Sequence, residues 1–524
     1  MTTPPRELQV YDSTLRAGAV HAGISFSVAD KLAIAELLDG LGVAFIEGGW
    51  PGAVRADQEF FARAADELRL KHASLVAYGT TRAPGICVSY DPQVNALVES
   101  HASVWSLATV ADSRHVAHDN ENLASLADTV AHGVDLGKRV FVECEHFFDG
   151  FAADREYAVE VVRRAFEAGA EVVALGDSNG GCLPSDVNAA IGTLQQLLGS
   201  ERRLGVACRN DSGCAVANTI TAVQAGAIHI RATANGYGAR LGNADLFAVL
   251  ANARCKLGLP VLPDRGLEKL TTVSAAIAET ANFAPDPYQP YVGQYAFAHK
   301  TGPGEVGKHG DLARFNHVDP AAVGNSMRVL VGELAGTSNV DMKARELGLD
   351  LSKRPQTLDR VTTRIKNLQA KGWSFEAADA SFELLVRDEM ETGLSRKFAL
   401  DSYRVIVEHR ADTEVLSEAT VKLRVAGERV ITTAEGNGPV HALDNALRKA
   451  LLAHYPELDS VALSDYKVRI LAGSKGTDAV TRVLVESTDG RNDWTTVGVD
   501  NNVVEASWSA LAQALTYRLS VARR

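Results

Sequence analysis

The sequence predicts an α/β protein whose first part is a (β/α)8 TIM barrel. The barrel is followed by helical connecting subdomains and a C-terminal α+β domain of two ββα-type repeats. Three observations carry this. The first 235 residues alternate short β-branched runs with stretches of helical apolar spacing. Those runs are apolar throughout rather than alternating, as in strands buried on both faces of a parallel sheet. They number eight in about 240 residues, the size and count of a closed barrel.

In order, the runs are LQVYDST (8–14), VAFIEGG (43–49), SLVAYGT (74–80), SVWSLAT (103–109), RVFVECEH (139–146), EVVALGD (171–177), LGVACRN (204–210) and IHIRAT from Ile228. Between them, VADKLAIAELLDGLG and YAVEVVRRAFEAGA read as amphipathic helices. A doubly wound open sheet is the alternative, but no GxGxxG follows the first strand. This places the barrel at 1–265. Residues 266–375 read as helical, loop-rich connecting or lid subdomains that include HKTGPGEVGKHGD (299–311). In 376–524 the plan of strands, Gly/Asn turn and amphipathic helix occurs twice, with EGNGP (435–439) and VDNNV (499–503) before the helices.

At 524 residues the chain exceeds one core, and 46% apolar with 23% charged residues is ordinary globular composition. A net charge of −12 argues against nucleic acid. No basic leader with an apolar run and no 18-residue apolar stretch is present, so neither secretion nor a membrane span is expected. The cysteines lack CxxC spacing, which argues against structural zinc and disulfides and leads to a cytoplasmic expectation.

Chemistry in a barrel sits at the C-terminal strand ends. Read in order, these are YDSTLRAGAVHAG, FIEGGWPGA, ECEHFFDGF, GDSNGGCLP, ACRNDSGCAVAN and NGYGARLGNADL. With PDPYQPYVGQYAFAHK, HVDPAAVGN and the C-terminal AEGNGPVHALDNALRKAL, this series resembles the family of (R)-citramalate and 2-isopropylmalate synthases over nearly the whole chain.

The resemblance implies a divalent metal that activates the ketone of a 2-oxo acid, held by an Asp of TLRDG and two His of HxHND. Here those motifs read TLRAG and ACRND, so the ligand positions carry Ala17, Ala207 and Arg209. The acid of the family's GYGER stretch is Ala239, WDLH has become WSLA with Ser106 and Ala108, a connecting-region His position holds Gly304 and a Tyr position holds Phe315. No metal cofactor is therefore expected. The same resemblance makes Arg16 the group that polarises the carbonyl and Glu145 the base for acyl-CoA deprotonation. Arg16 as a strand-end ion pair and Glu145 as a structural partner of Arg16 or Arg209 are the alternatives.

Glu47, Asp177, Ser178, Arg209, Arg231 and Asn235 are the candidate substrate-binding residues. Asp177 reads equally as a residue that holds its loop. Asn179 belongs to the same polar cluster, and His21 adds a further cationic candidate near the mouth. Cys208 stands beside the replaced positions as a nucleophile candidate without an assigned base.

Three functions stay open. The first is a metal-independent enzyme acting on an acyl-CoA, 2-oxo acid or hydroxy-diacid by enolate chemistry. The second is an inactive regulatory paralogue that binds an amino-acid effector. The third is an (R)-citramalate synthase proper, condensing pyruvate with acetyl-CoA. The resemblance also implies a homodimer with an effector site in the C-terminal domain.

Overall fold

The structure is a computed structural model describing residues 8–299, 316–331, 336–390, 397–409, 415–471 and 479–521. These fall into two compact units, 8–297 with 316–326, and 298–299 with 327–521.

The first unit is a closed barrel of eight parallel strands in sequence order. They are β1 (Gln9–Asp12), β2 (Phe45–Gly49), β3 (Ser74–Thr80), β4 (Val104–Val110), β5 (Arg139–Glu145), β6 (Val172–Asp177), β7 (Leu204–Cys208) and β8 (His229–Ala232), and β8 closes on β1. Each of the eight apolar runs contains one strand. Every residue of β2 and β6 is buried, which is why these runs show no polar alternation.

The helices around the barrel are α1 (Val28–Leu41), α2 (Arg55–Glu67), α3 (Pro92–Glu99), α4 (Asp119–Asp135), α5 (Phe147–Ala153), α6 (Arg155–Glu167), α7 (Pro184–Leu198), α8 (Ala215–Gln224), α9 (Leu246–Cys255) and α10 (Leu270–Thr280). Their starts are written locally. Ser27 and Asp30 form a reciprocal capping box on α1, and Asp91 caps α3 ahead of Pro92.

The sequence boundary at 265 falls inside this unit. Leu270, Val273 and Ile277 of α10 join the barrel's outer core, so the unit continues through Phe297. Inside the barrel, Tyr11, Phe45, Val76, Val104, Phe141 and Val172 form an apolar floor. With a side-chain period of two, Glu47 stands above Phe45, Glu143 and Glu145 climb above Phe141, and Arg231 stands above His229. The strands thus lift a charged layer directly over an apolar one.

The second unit begins with β9 (Ala298–His299) paired to β10 (Arg328–Val329). Helices α11 (Thr337–Glu346), α12 (Pro355–Ala370) and α13 (Asp379–Met390) follow, around a small core that includes Val340, Ile365, Phe375 and Phe382. Two antiparallel sheets come next: β11 (Phe398–Glu408), β12 (Leu416–Val425) and β13 (Glu428–Gly436) with α14 (Pro439–Leu452), then β14 (Ala462–Ile470), β15 (Thr481–Thr488) and β16 (Asp493–Asp500) with α15 (Val503–Val521).

The duplication is therefore βββα rather than ββα. The additional strands, β11 and β14, are largely exposed edge strands, so no buried alternation marks them in the sequence. The central strands carry that signal: Ala419, Val421, Leu423 and Val425 of β12, and Val483 and Val485 of β15, are fully buried within one core shared with the two helices.

Candidate active site

β1 ends at Asp12, a fully buried residue. Its two carboxylate oxygens accept the Thr14 backbone N–H and the Thr14 hydroxyl, both at 2.8 Å. Burial pushes its pKa up to about 7 against the lowering effect of those bonds. The anchored turn, Thr14–Gly18, delivers Arg16 to the barrel mouth.

The Arg16 Nε donates to Glu47, which is wholly buried and also accepts the Tyr11 hydroxyl at 2.5 Å. The Arg16 guanidinium stacks 3.5 Å above the centre of the Tyr78 ring, and its Nη2 lies 3.8 Å from Glu143. Glu47 therefore orients Arg16 from below rather than offering itself to a ligand.

Glu143, Glu145, Arg231, Asp177 and Ser178 surround Arg16 in one cavity of about 60 Å³, together with Ser13, Ala17, Ala207, Cys208, Arg209 and Asn243. Glu143 accepts from Arg231 Nη1 at 2.7 Å. Arg231 is almost fully buried, and its Cζ sits 4.3 Å from the Tyr11 ring centre. Glu145 accepts the Tyr78 hydroxyl at 3.3 Å. Burial first, and then the neighbouring Glu143, hold its carboxyl above the usual range.

Arg16 and Glu145 share the cavity without forming an ion pair with each other, and Arg16 takes Glu47 and Glu143 as its partners. Asp177 accepts the backbone N–H groups of Gly181 and Cys182 at 3.2 and 3.3 Å, so it holds its loop as well as lining the cavity. Ser178 accepts the His146 N–H at 2.9 Å.

Three further candidates lie elsewhere. Asn235 bonds Tyr237, Ser274 and Gln289, which ties β8's loop to α10, and it is not among the cavity residues. His21 contacts the Gly238 carbonyl and packs against Tyr237 and Phe283. Asn179 donates to Asp149 at 2.7 Å. Cys208 is buried, and that burial pushes its thiol up to about 12, opposite to the shift a nucleophile needs. Gly304 and Phe315 lie outside the described residues.

Sequence reasoning missed Glu143 and Tyr78. For Glu143 the signal was available: in FVECE the residues Phe141, Glu143 and Glu145 share one face of β5. Tyr78 lies in an apolar run and shows its role only through the ring stacked on Arg16.

The positions at which the family resemblance places metal ligands hold two methyl groups and a cation. Of the carboxylates that line the cavity with them, Glu143 is engaged by Arg231 and Asp177 by its loop, which leaves Glu145. A hard divalent ion needs several oxygen or nitrogen donors, and this donor set does not fit one.

Comparison with known proteins agrees with this fold. Residues 7–277 match the family model described as HMGL-like, and residues 376–519 match the LeuA allosteric (dimerisation) domain. An (R)-citramalate synthase of Streptomyces coelicolor is 52% identical over 97% of this chain and 96% of its own length. That of Aquifex aeolicus is 41% identical over 98% of both chains. A 2-isopropylmalate synthase of Methylorubrum populi is 31% identical over 98% of this chain and 95% of its own.

Proposed function

Because this chain belongs to the family of (R)-citramalate and 2-isopropylmalate synthases, we propose that its barrel performs enolate chemistry between an acyl-CoA and a short 2-oxo acid without a divalent ion. The observation that carries this reading is the single cavity holding Arg16, fixed by Glu47, beside Glu145 with its raised pKa.

In this reading, the Glu145 carboxylate takes a proton from the acyl carbon next to the thioester. The resulting enolate carbon attacks the ketone carbon of the 2-oxo acid. Negative charge gathers on the former ketone oxygen, where the Arg16 guanidinium receives it, and the oxygen ends protonated as a hydroxyl. Water then cleaves the thioester and releases CoA thiol with a hydroxy-diacid. A preorganised guanidinium costs no reorganisation when charge develops, and its stacking on Tyr78 holds it in place.

A second reading is favoured by the 52% identity over nearly the full chain: an (R)-citramalate synthase that condenses pyruvate with acetyl-CoA and requires a divalent ion. One assay separates the two. Thiol release from acetyl-CoA is followed with a panel of 2-oxo acids, in EDTA and with Mn²⁺. The first reading expects release that EDTA leaves intact. Release with pyruvate that EDTA abolishes and Mn²⁺ restores would establish the second. No release with any pair would mark a non-catalytic paralogue.

For the second unit we propose a homodimer with an amino-acid effector site near the two Gly/Asn turns. Its support is the match to the LeuA dimerisation domain, together with exposed apolar side chains such as Ile406, Ile431 and Ile470 on the sheets. Light scattering of the full chain is expected to report a dimer, and isoleucine or leucine to raise its melting temperature. A monomer at micromolar concentration would overturn the first expectation, and no stabilisation by either amino acid the second. Among the described residues, no helix is long and apolar enough to cross a membrane.

A further inference from the structure

The geometry points to Arg209 as the carboxylate anchor of the barrel mouth, a built-in cation that seats the acid group of a 2-oxo acid. This rests on the reading of the mouth as the seat of a 2-oxo acid, and it names the residue that binds the acid group.

Among the described residues three guanidinium groups line the cavity, and two are already engaged. Arg16 is held by Glu47, and Arg231 by Glu143. Nearby Arg240 is likewise bound, at 2.6 and 2.8 Å to Asp211 and 2.9 Å to the Ser178 carbonyl. Arg209 alone of these makes no side-chain hydrogen bond or ion pair among the described residues, although it is half-buried and lines the cavity wall.

Its main chain is fixed on both sides. The N–H donates to the Asp177 carbonyl at 3.3 Å, and the residue pairs with Asn243 in an isolated bridge. The position of the side chain's root is thus set by the end of β6 and by the loop that leads into α9. Its charge is felt inside the site: Arg209 is among the groups that lower Glu145 and Asp211 and that lower His146.

A guanidinium keeps its proton at any physiological pH and offers N–H pairs matched to a carboxylate. Partly withdrawn from water and without a side-chain partner among the described residues, it is best satisfied by an acid group that arrives with the ligand. Bound there, the acid's ketone lies in the cavity that Arg16 also lines. The cavity of about 60 Å³ has room for the carboxylate and the adjoining ketone of such an acid.

The test is calorimetric titration of the full chain in EDTA with pyruvate, 2-oxobutyrate and the branched 2-oxoisovalerate. All three are expected to bind, since each presents the same carboxylate and ketone. Arg209→Ala should weaken them about 10- to 100-fold, the range for losing a hydrogen-bonded charge partner. Arg209→Lys should fall between, because it keeps the charge and loses the fork. Unliganded melting curves of the variants identify any that fail to fold.

Equal affinity in Arg209→Ala, no binding by wild type, or wild-type binding that appears only with Mn²⁺ would each overturn the anchor. Arg209-dependent binding without turnover by any acyl-CoA would leave the anchor standing while removing the enolate reading.

Discussion

Replacing Glu145 by Gln is expected to lower thiol release at least about 100-fold, within the span for losing a positioned general base. The amide keeps the shape and can still meet the Tyr78 hydroxyl, but it cannot take a proton. The pH dependence provides the sharper test. Burial and then Glu143 raise the Glu145 pKa, so its basic form is lost at higher pH than for an ordinary carboxylate. The acid limb of the kcat/KM profile should therefore lie above the usual carboxylate range, with activity falling as pH drops through it. Glu143→Gln removes a neighbouring negative charge and should move that limb to lower pH. Near-normal rates in Glu145→Gln would place the proton transfer on another residue. An unmoved limb in Glu143→Gln would show that burial alone sets the shift.

The largest stability effect is expected behind the site, at the buried pair of Lys31 on α1 and Asp57 on α2. Both side chains are about 5% exposed or less, and they are joined by a charged hydrogen bond. The second carboxylate oxygen of Asp57 accepts the Trp50 N–H at 2.7 Å. Gly49 is needed beneath it: its φ of +147° is disfavoured for other residues, and a Cβ there would run into the Asp57 carboxylate. Trp50 in turn meets Tyr78 edge-on at 5.4 Å, and Tyr78 backs Arg16. Asp57→Ala leaves an ammonium buried without a partner and frees the Trp50 N–H, for a cost of about 3–5 kcal/mol. The urea midpoint of the barrel transition should fall accordingly. Lys31→Met combined with Asp57→Leu removes both charges and should recover much of the loss. A cost under about 1 kcal/mol for Asp57→Ala would mean that water reaches the pair.

The barrel was legible because its signal is local and repeated. Strands buried on both faces have to be apolar throughout, and caps such as Ser27–Asp30 lie within one turn of the helix they start. The strand-end residues followed from that, since a barrel places its chemistry where its strands end. Arg16, Glu145, Asp177, Ser178, Arg209 and Arg231 do meet in one cavity. Asn235 stood in the same series and faces α10 instead, because its positive φ of 55° and its bonds to Ser274 and Gln289 turn it aside. The edge strands β11 and β14 escaped notice because exposed strands need no buried alternation.

By itself the sequence determined the eightfold strand–helix alternation, the duplicated C-terminal plan and the identity of the side chains at the strand ends. It also determined that methyl groups and a cation stand at Ala17, Ala207 and Arg209. Only the tertiary structure decided how the charges pair. Glu47 rather than Glu145 takes Arg16, Glu143 takes Arg231, and Arg209 is left without a partner among the described residues. The physical reason is that pairing depends on barrel register and interior height. These bring residues 31 and 88 positions apart in the chain within a few ångströms, and no periodicity along the sequence records that.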